Sequence, residues 1–213
     1  MINGLHLKVC GLTSVADAQA AAAAGAGYLG FIFHPKSPRY LSPEKYREMK
    51  AGLPLAKHVA VCVEPTPVDL ARLGELGFDF FQIHFNADAP DHLVAAWAQT
   101  VGSNRLWLAP KLPAAQEVKP AWLDLAGTFL LDTFHPDKFG GTGATGDWDK
   151  FRRHQTAHPQ KTWILSGGLT PENIAEAIRA SGAKFVDVNS GVESAPGVKD
   201  PTKLRALAAA LGR

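Results

Sequence analysis

Cys10 closes a short apolar run, Leu5-His6-Leu7-Lys8-Val9-Cys10, and Gly11 follows it at once. The glycine, then Thr13-Ser14, then an alanine-rich stretch reads as a strand, a tight turn and a capped helix. The thiol therefore falls at the carboxyl tip of a strand that opens a strand–helix unit. In parallel α/β folds that tip is where chemistry is done. Cys10 is thus a candidate catalytic group, a nucleophile on position alone, against the competing reading of a small core residue. Other polar residues fall at similar tips: Lys36-Ser37-Pro38-Arg39, His84, Asp132, Gly167-Gly168 and Ser190-Gly191. An aspartate there is either an acid or a turn residue. Glycines at Gly141, Gly143, Gly167, Gly168 and Gly191, with Ser190, let the backbone approach an anion at a helix start. No Gly-Lys-Ser/Thr follows them, so nucleotide hydrolysis is not indicated. The eight histidines are scattered and no CxxC or HExxH occurs, so no metal is expected.

The elements that would gather these tips recur along the chain. Apolar runs span Leu5–Cys10, Tyr28–Phe33, His58–Val63, Phe78–His84, Arg105–Leu108, Thr128–Thr133, Thr162–Ser166 and Phe185–Asn189. They are near-continuous, as expected of strands buried on both faces. Helix starts lie between them: Ser14 with Asp17, and Ser42-Pro43, Thr66-Pro67, Thr170-Pro171 and Asp200-Pro201, each a cap residue before a first-turn proline. Gly25, Gly52, Gly77 and Gly182 mark helix ends. Eight strands, each with a crossover, predict an α/β fold of one (β/α)8 TIM barrel over residues 1–213. A doubly wound open sheet is the alternative, but it usually has fewer strands and a GxGxxG after the first. The fifth crossover, with Pro110, Pro113 and Pro120, reads as loop-rich.

The bulk numbers agree. The 213 residues, 46% hydrophobic and 20% charged, suit one compact core, with lean loops for a fold whose typical size is about 250 residues. The net charge of +2 is spread without a Lys/Arg block, so neither nucleic acid nor a membrane surface is expected as a partner. The uncharged stretch from Ala18 to Phe33 is broken by Gly25 and Gly27 and does not read as a membrane span. Cys10 and Cys62 lie in different predicted strands, which suggests reduced thiols and a cytoplasmic protein. The start, Met1-Ile2-Asn3-Gly4, has no basic region, so no secretory leader is expected.

Taken in order, several segments resemble the phosphoribosylanthranilate isomerase family. They are Leu7-Lys8-Val9-Cys10-Gly11-Leu12-Thr13, Gly30-Phe31-Ile32-Phe33 with Pro35 to Arg39, Gln82-Ile83-His84 and Leu130-Leu131-Asp132. Further along come Gly140 to Gly143, Ser166 to Asn173, Asp187 to Glu193 and Pro196 to Asp200. The resemblance implies an Amadori rearrangement in tryptophan biosynthesis, from N-(5-phosphoribosyl)anthranilate to 1-(2-carboxyphenylamino)-1-deoxyribulose 5-phosphate, with no cofactor. It implies Asp132 as the acid and Cys10 as the base. Each role needs an abnormal pKa. A thiol near pKa 8.5 must be helped to ionise, and Lys8, two residues earlier on the same strand face, is a source of positive potential. The helix amino terminus that follows would act in the same direction. Asp132 must hold a proton, which burial among Leu130, Leu131 and Phe134 would favour.

Arg39 is the expected partner of the anthranilate carboxylate, since a guanidinium matches it bidentately; the bland reading is a surface charge after a turn. His84 either lines the substrate site or is a hydrogen-bonded core histidine. Asp187 either bonds the substrate's amino or hydroxyl groups or forms a structural ion pair with Lys8. The phosphorylated small molecule would sit on the glycine loops, in a monomer or a homodimer.

The chain departs from the family pattern at Phe85, where glycine is usual and the fourth loop should be bulkier. It departs also at Glu64 for Asn, Ala144 for Lys, Gly146 for Phe and Asn189 for Ser. Two rival readings stand beside this one. The sister sugar-phosphate isomerase of histidine biosynthesis has an aspartate at the first strand tip, where this chain has Cys10. The other is a non-catalytic phosphate-binding barrel, against which the joint presence of Cys10, Asp132 and Arg39 argues.

Overall fold

A computed structural model describes residues 2–113, 115–132 and 147–212. Eight parallel strands close on themselves in chain order: β1 His6–Val9, β2 Tyr28–Ile32, β3 Lys57–Val63, β4 Phe80–Asn86, β5 Leu106–Lys111, β6 Thr128–Leu131, β7 Thr162–Leu165 and β8 Phe185–Val188. The crossovers are α1 Val15–Ala23, α2 Pro43–Met49, α3 Pro67–Gly74, α4 Asp91–Val101, α5 Pro120–Leu123, α6 Trp148–Ala157, α7 Ile174–Ser181 and α8 Pro201–Ala210. The closed (β/α)8 barrel is the architecture that the alternation predicts. No helix among the described residues is long and apolar enough to cross a membrane.

The capping residues do their expected work at four starts. Ser14 accepts from the Asp17 amide, Ser42 from Lys45, Thr66 from Asp69, and Asp200 from Thr202 and Lys203. The exception is Thr170-Pro171. There α7 begins at Ile174 with Asn173 as its cap, because Asn173 Oδ1 takes the Thr170 amide and its amide group donates to the Gly168 carbonyl. The Asn side chain thereby closes a compact turn ahead of the helix. The fifth crossover is loop-rich as expected, with a four-residue α5. However, β5 runs on through Pro110 to Lys111, three residues past the predicted end.

Strand alternation sorts side chains into two apolar layers. One lies between strands and helices and holds Leu7, Val9, Phe31, Ile83, Phe85 and Val188. The other fills the barrel and holds Cys10, Val59, Val61, Trp107, Ala109, Leu130, Ile164 and Phe185. At the amino-terminal end of the barrel five rings interlock: His6, Tyr28, Phe80, Trp107 and Phe185, with Tyr28 centred 4.7 Å from Phe185 and Phe80 stacked 4.8 Å from Trp107. This floor closes the barrel at one end and leaves the other for polar groups.

Two departures from the family pattern acquire a physical meaning. Phe85 does not bulk the fourth loop: it stays within β4, fully buried and facing outward, edge-on to Trp97 and Trp122. Glu64 adopts φ +41, a left-handed conformation that Asn tolerates better than Glu. Its carboxylate offsets the strain by accepting from the Asn86 amide at 2.9 Å.

Beyond the barrel, the chain after β8 makes a single 3-10 turn, Ser190–Val192, and then an antiparallel pair, β9 Glu193–Ala195 with β10 Val198–Lys199. The run of strands does not announce this hairpin.

Candidate active site

The inward register of the eight strands brings the candidate residues to one end. On β1 it selects His6, Lys8 and then Cys10; on β4, Phe80, Gln82 and His84; on β6, Thr128, Leu130 and then Asp132; on β8, Phe185, Asp187 and then Asn189. Lys8 and Asp187 are register partners across the β1–β8 seam. Cys10 and Asp132 each stand one residue past the end of their strand, on non-adjacent strands. Between the aromatic floor and these tips lies a charged middle tier.

That tier is dominated by Lys8, which is fully buried. Its ammonium donates to both carboxylate oxygens of Asp187, each at 2.9 Å, and lies within hydrogen-bonding reach of the Cys10 thiol. Of the two readings open for Asp187, the ion pair with Lys8 is the one that the structure contains. Gly30 makes room for it: a Cβ there would stand 2.9 Å from Cys10 Sγ and 3.0 Å from Lys8 Nζ. Burial alone would lower the Lys8 ammonium, but Asp187 and Cys10 outweigh it and hold it above its usual value. The Asp187 carboxyl is pushed up by burial while Lys8 pulls against it.

Lys8 supplies the positive potential expected of it, but it does not make Cys10 acidic on balance. The cation is where strand alternation puts it, yet the thiol sits above its ordinary value. Burial raises it most, the Lys8 charge lowers it, and the Asp187 carboxylate raises it again. Lys8 does pull the thiol down, but burial and the Asp187 carboxylate together outweigh it.

His84 is partly exposed and neutral. Burial, together with the nearby charges of Lys8 and His34, pushes its imidazole down to about 3. Gln82 Nε2 stands 2.8 Å from His84 Nε2. An amide N–H donating there leaves the imidazole proton on Nδ1, so the ring can offer a neutral donor to the mouth of the barrel.

Arg39 is not a surface charge: its side chain is 13% exposed and grips Glu193, with Nη2 at 2.6 Å. Glu193 and Lys199 are buried and paired at 2.8 Å. These two, with Gln82 and the inward-facing Lys111 at the end of β5, are the polar residues that the sequence reading gave no role. Period-two alternation from His84 and Trp107 identifies Gln82 and Lys111. Glu193 and Lys199 belong to the unforeseen hairpin.

The glycine tips divide. Gly191 packs against Leu169, the residue after Gly167-Gly168: a Cβ on Gly191 would lie 2.0 Å from the Leu169 carbonyl oxygen, so only glycine permits this approach. The amides of Gly167, Gly168, Ser190 and Gly191 donate to no backbone group among the described residues. Gly141 and Gly143 lie outside the described residues, as does Phe134, the expected neighbour of Asp132. Asp132 itself is partly buried.

A parallel barrel with a thiol, a carboxyl group and open backbone amides around its carboxyl end belongs to the barrel enzymes whose sites are built from strand tips. Residues 7–210 match the family model of N-(5'-phosphoribosyl)anthranilate isomerase. The N-(5'-phosphoribosyl)anthranilate isomerase of Paracoccus denitrificans is 40% identical, over 96% of each chain. The crystal structure of phosphoribosyl anthranilate isomerase from Thermus thermophilus superimposes with a TM-score of 0.76 at 34% identity, covering 97% of this chain and 98% of that one. A phosphoribosyl anthranilate isomerase solved in complex with reduced 1-(o-carboxyphenylamino)-1-deoxyribulose 5-phosphate gives 0.73 at 28% identity, covering 97% and 98%. The chain belongs to the N-(5'-phosphoribosyl)anthranilate isomerase family, enzymes of the aldose–ketose isomerase class.

Proposed function

We propose that this protein rearranges N-(5'-phosphoribosyl)anthranilate to 1-(2-carboxyphenylamino)-1-deoxyribulose 5-phosphate, with Asp132 as general acid and Cys10 as general base. The observation that carries the assignment is the placement of these two groups one residue beyond β1 and β6 in the inward register. The acid protonates the ribose ring oxygen as its bond to C1 breaks, and the anilino nitrogen supplies the electron pair for the resulting Schiff base. The base then takes the C2 proton, giving an enolamine. Return of a proton to C1 and loss of the C2 hydroxyl proton yield the ketone, so the overall change is an isomerisation.

Lys8 supports this role differently from a simple activator. It accompanies the thiol and would stabilise the thiolate once formed, while Asp187 limits how acidic the thiol becomes. Arg39 holds the anthranilate carboxylate. The phosphate lies on the Gly167, Gly168, Ser190 and Gly191 amides, which donate to no backbone group among the described residues.

Turnover of freshly generated phosphoribosylanthranilate, followed by its fluorescence, tests the reading. Cys10→Ser and Asp132→Asn should each lower kcat by on the order of 10²–10⁴-fold while the phosphorylated product still binds. Folded wild-type protein without turnover would overturn the activity. Undiminished turnover by both variants would overturn the residue assignment.

A further inference from the structure

Arg39 and the buried hairpin form a unit that the acid–base pair does not account for. The guanidinium meets Glu193 along one edge: Nε lies 2.9 and 3.1 Å from the two carboxylate oxygens, and Nη2 lies 2.6 Å from one of them. Arg39 Nη1 has no partner among the described residues. A guanidinium has five donors in a planar fork, so the Nη1–Nη2 edge is left open to a second carboxylate.

The stem is fixed as firmly as the head. Arg39 Cδ stands 2.7 Å from where a Gly11 Cβ would be, with Asn189 Oδ1 at 2.6 Å from the same point. Nothing larger than glycine fits between them, and Gly11 is the residue after Cys10. The Arg39 stem is thus anchored beside Gly11, the residue that follows Cys10.

Glu193 is itself held in place. Lys199 donates to its Oε1 at 2.8 Å, and the Gly197 amide reaches the same oxygen at 3.3 Å. Lys199 also donates to Asn189 Oδ1 at 2.9 Å, which ties the hairpin to the end of β8. Two cations against one carboxylate leave the group net positive. An isolated Arg–Glu pair would be neutral and attract an incoming anion weakly, whereas an isolated Arg would have to be immobilised on binding.

We propose that Glu193 is a positioning residue and Lys199 its counter-charge, which together preorganise Arg39 so that its outer edge receives the carboxylate of the aromatic substrate. The inference rests on Arg39 being the carboxylate clamp. It adds that specificity for an acidic aromatic amine is built into the hairpin after β8.

Two substrates separate the possibilities: phosphoribosylanthranilate and phosphoribosylaniline, the same compound without the carboxylate. The ratio of their kcat/KM values measures use of the carboxylate. Arg39→Lys and Glu193→Gln should each reduce that ratio by on the order of tenfold, chiefly through KM for the carboxylated substrate. The Arg39→Lys, Glu193→Gln double variant should lose little more than either alone, since both changes act on one contact. Glu193→Gln with Lys199→Gln keeps the charge balanced if the single variant proves unstable, and circular dichroism confirms folding in each case.

An unchanged ratio in Arg39→Lys overturns the clamp and the inference with it. A reduced ratio in Arg39→Lys with an unchanged ratio in folded Glu193 variants overturns the inference alone. A lower KM in Glu193→Gln would show that Glu193 competes with substrate for Arg39, which also overturns it.

Discussion

The two ends of the barrel interior are built from the same strands and share almost no chemistry. At the amino-terminal end His6, Tyr28, Phe80, Trp107 and Phe185 pack ring against ring. Two residues further along the same strands stand Lys8, Gln82 and Asp187, and two further still Cys10, His84 and Asn189. The floor gains stability from apolar burial and aromatic pairing, which demands little of exact position. The tiers above hold buried ions that are stable only as a set, because removing one partner of such a pair costs about 3–5 kcal/mol. A step of two residues along a strand thus separates the part that holds the fold from the part proposed to do chemistry.

The sharpest way to break that division is to truncate one residue on each side of it. Cys10→Ser should lower kcat by on the order of 10²–10⁴-fold with a thermal midpoint close to that of the wild type. Trp107→Ala should do the reverse. Loss of a ring that is 2% exposed should cost about 3–5 kcal/mol, read as a lower denaturant midpoint, with KM little changed. A Trp107 variant whose kcat collapses while its stability holds would show that floor and site are not separable.

The charged tier can be divided further. Asp187→Asn preserves volume and a hydrogen bond to Lys8 but removes a charge that raises the Cys10 thiol. Lys8 would then act on the thiol without that opposing charge, so the inflection of the kcat–pH profile that belongs to Cys10 should move to lower pH. If Asp187 instead binds substrate directly, kcat/KM falls and the inflection stays in place. The direction of this shift tells an electrostatic role from a contact role.

How much of this was legible follows the same division. The barrel, its order and its tips are visible in Leu5–Cys10 and the seven later runs, because alternation and capping are local and leave local signals. Cys10, His84, Asp132 and Asp187 share the inward register because period two is fixed by the backbone. The net effect on Cys10 was not legible. It depends on whether Lys8 faces the thiol alone or through Asp187, a residue 179 positions away whose burial no local pattern reports. Glu193 and Lys199 escaped for a similar reason. Two charges six residues apart read as solvated until the hairpin folds them under Arg39.

His84 supplies the subtlest distinction between the tiers, since its effect belongs to stability rather than turnover. The folded imidazole, pushed down to about 3 by burial and by the charges of Lys8 and His34, stays neutral over a range in which the unfolded one, near 6.5, takes a proton. Between those two values the unfolded state binds more protons, so this group's contribution is complete above pH 6.5 and is lost progressively as the pH falls towards 3. His84→Gln removes that linkage while keeping a polar side chain beside Gln82. The thermal midpoint of the wild type should therefore fall more steeply than that of the variant between pH 6.5 and 4. Parallel slopes would mean that the imidazole is not held neutral in the folded barrel, and with it would go the tautomer that the Gln82 amide imposes.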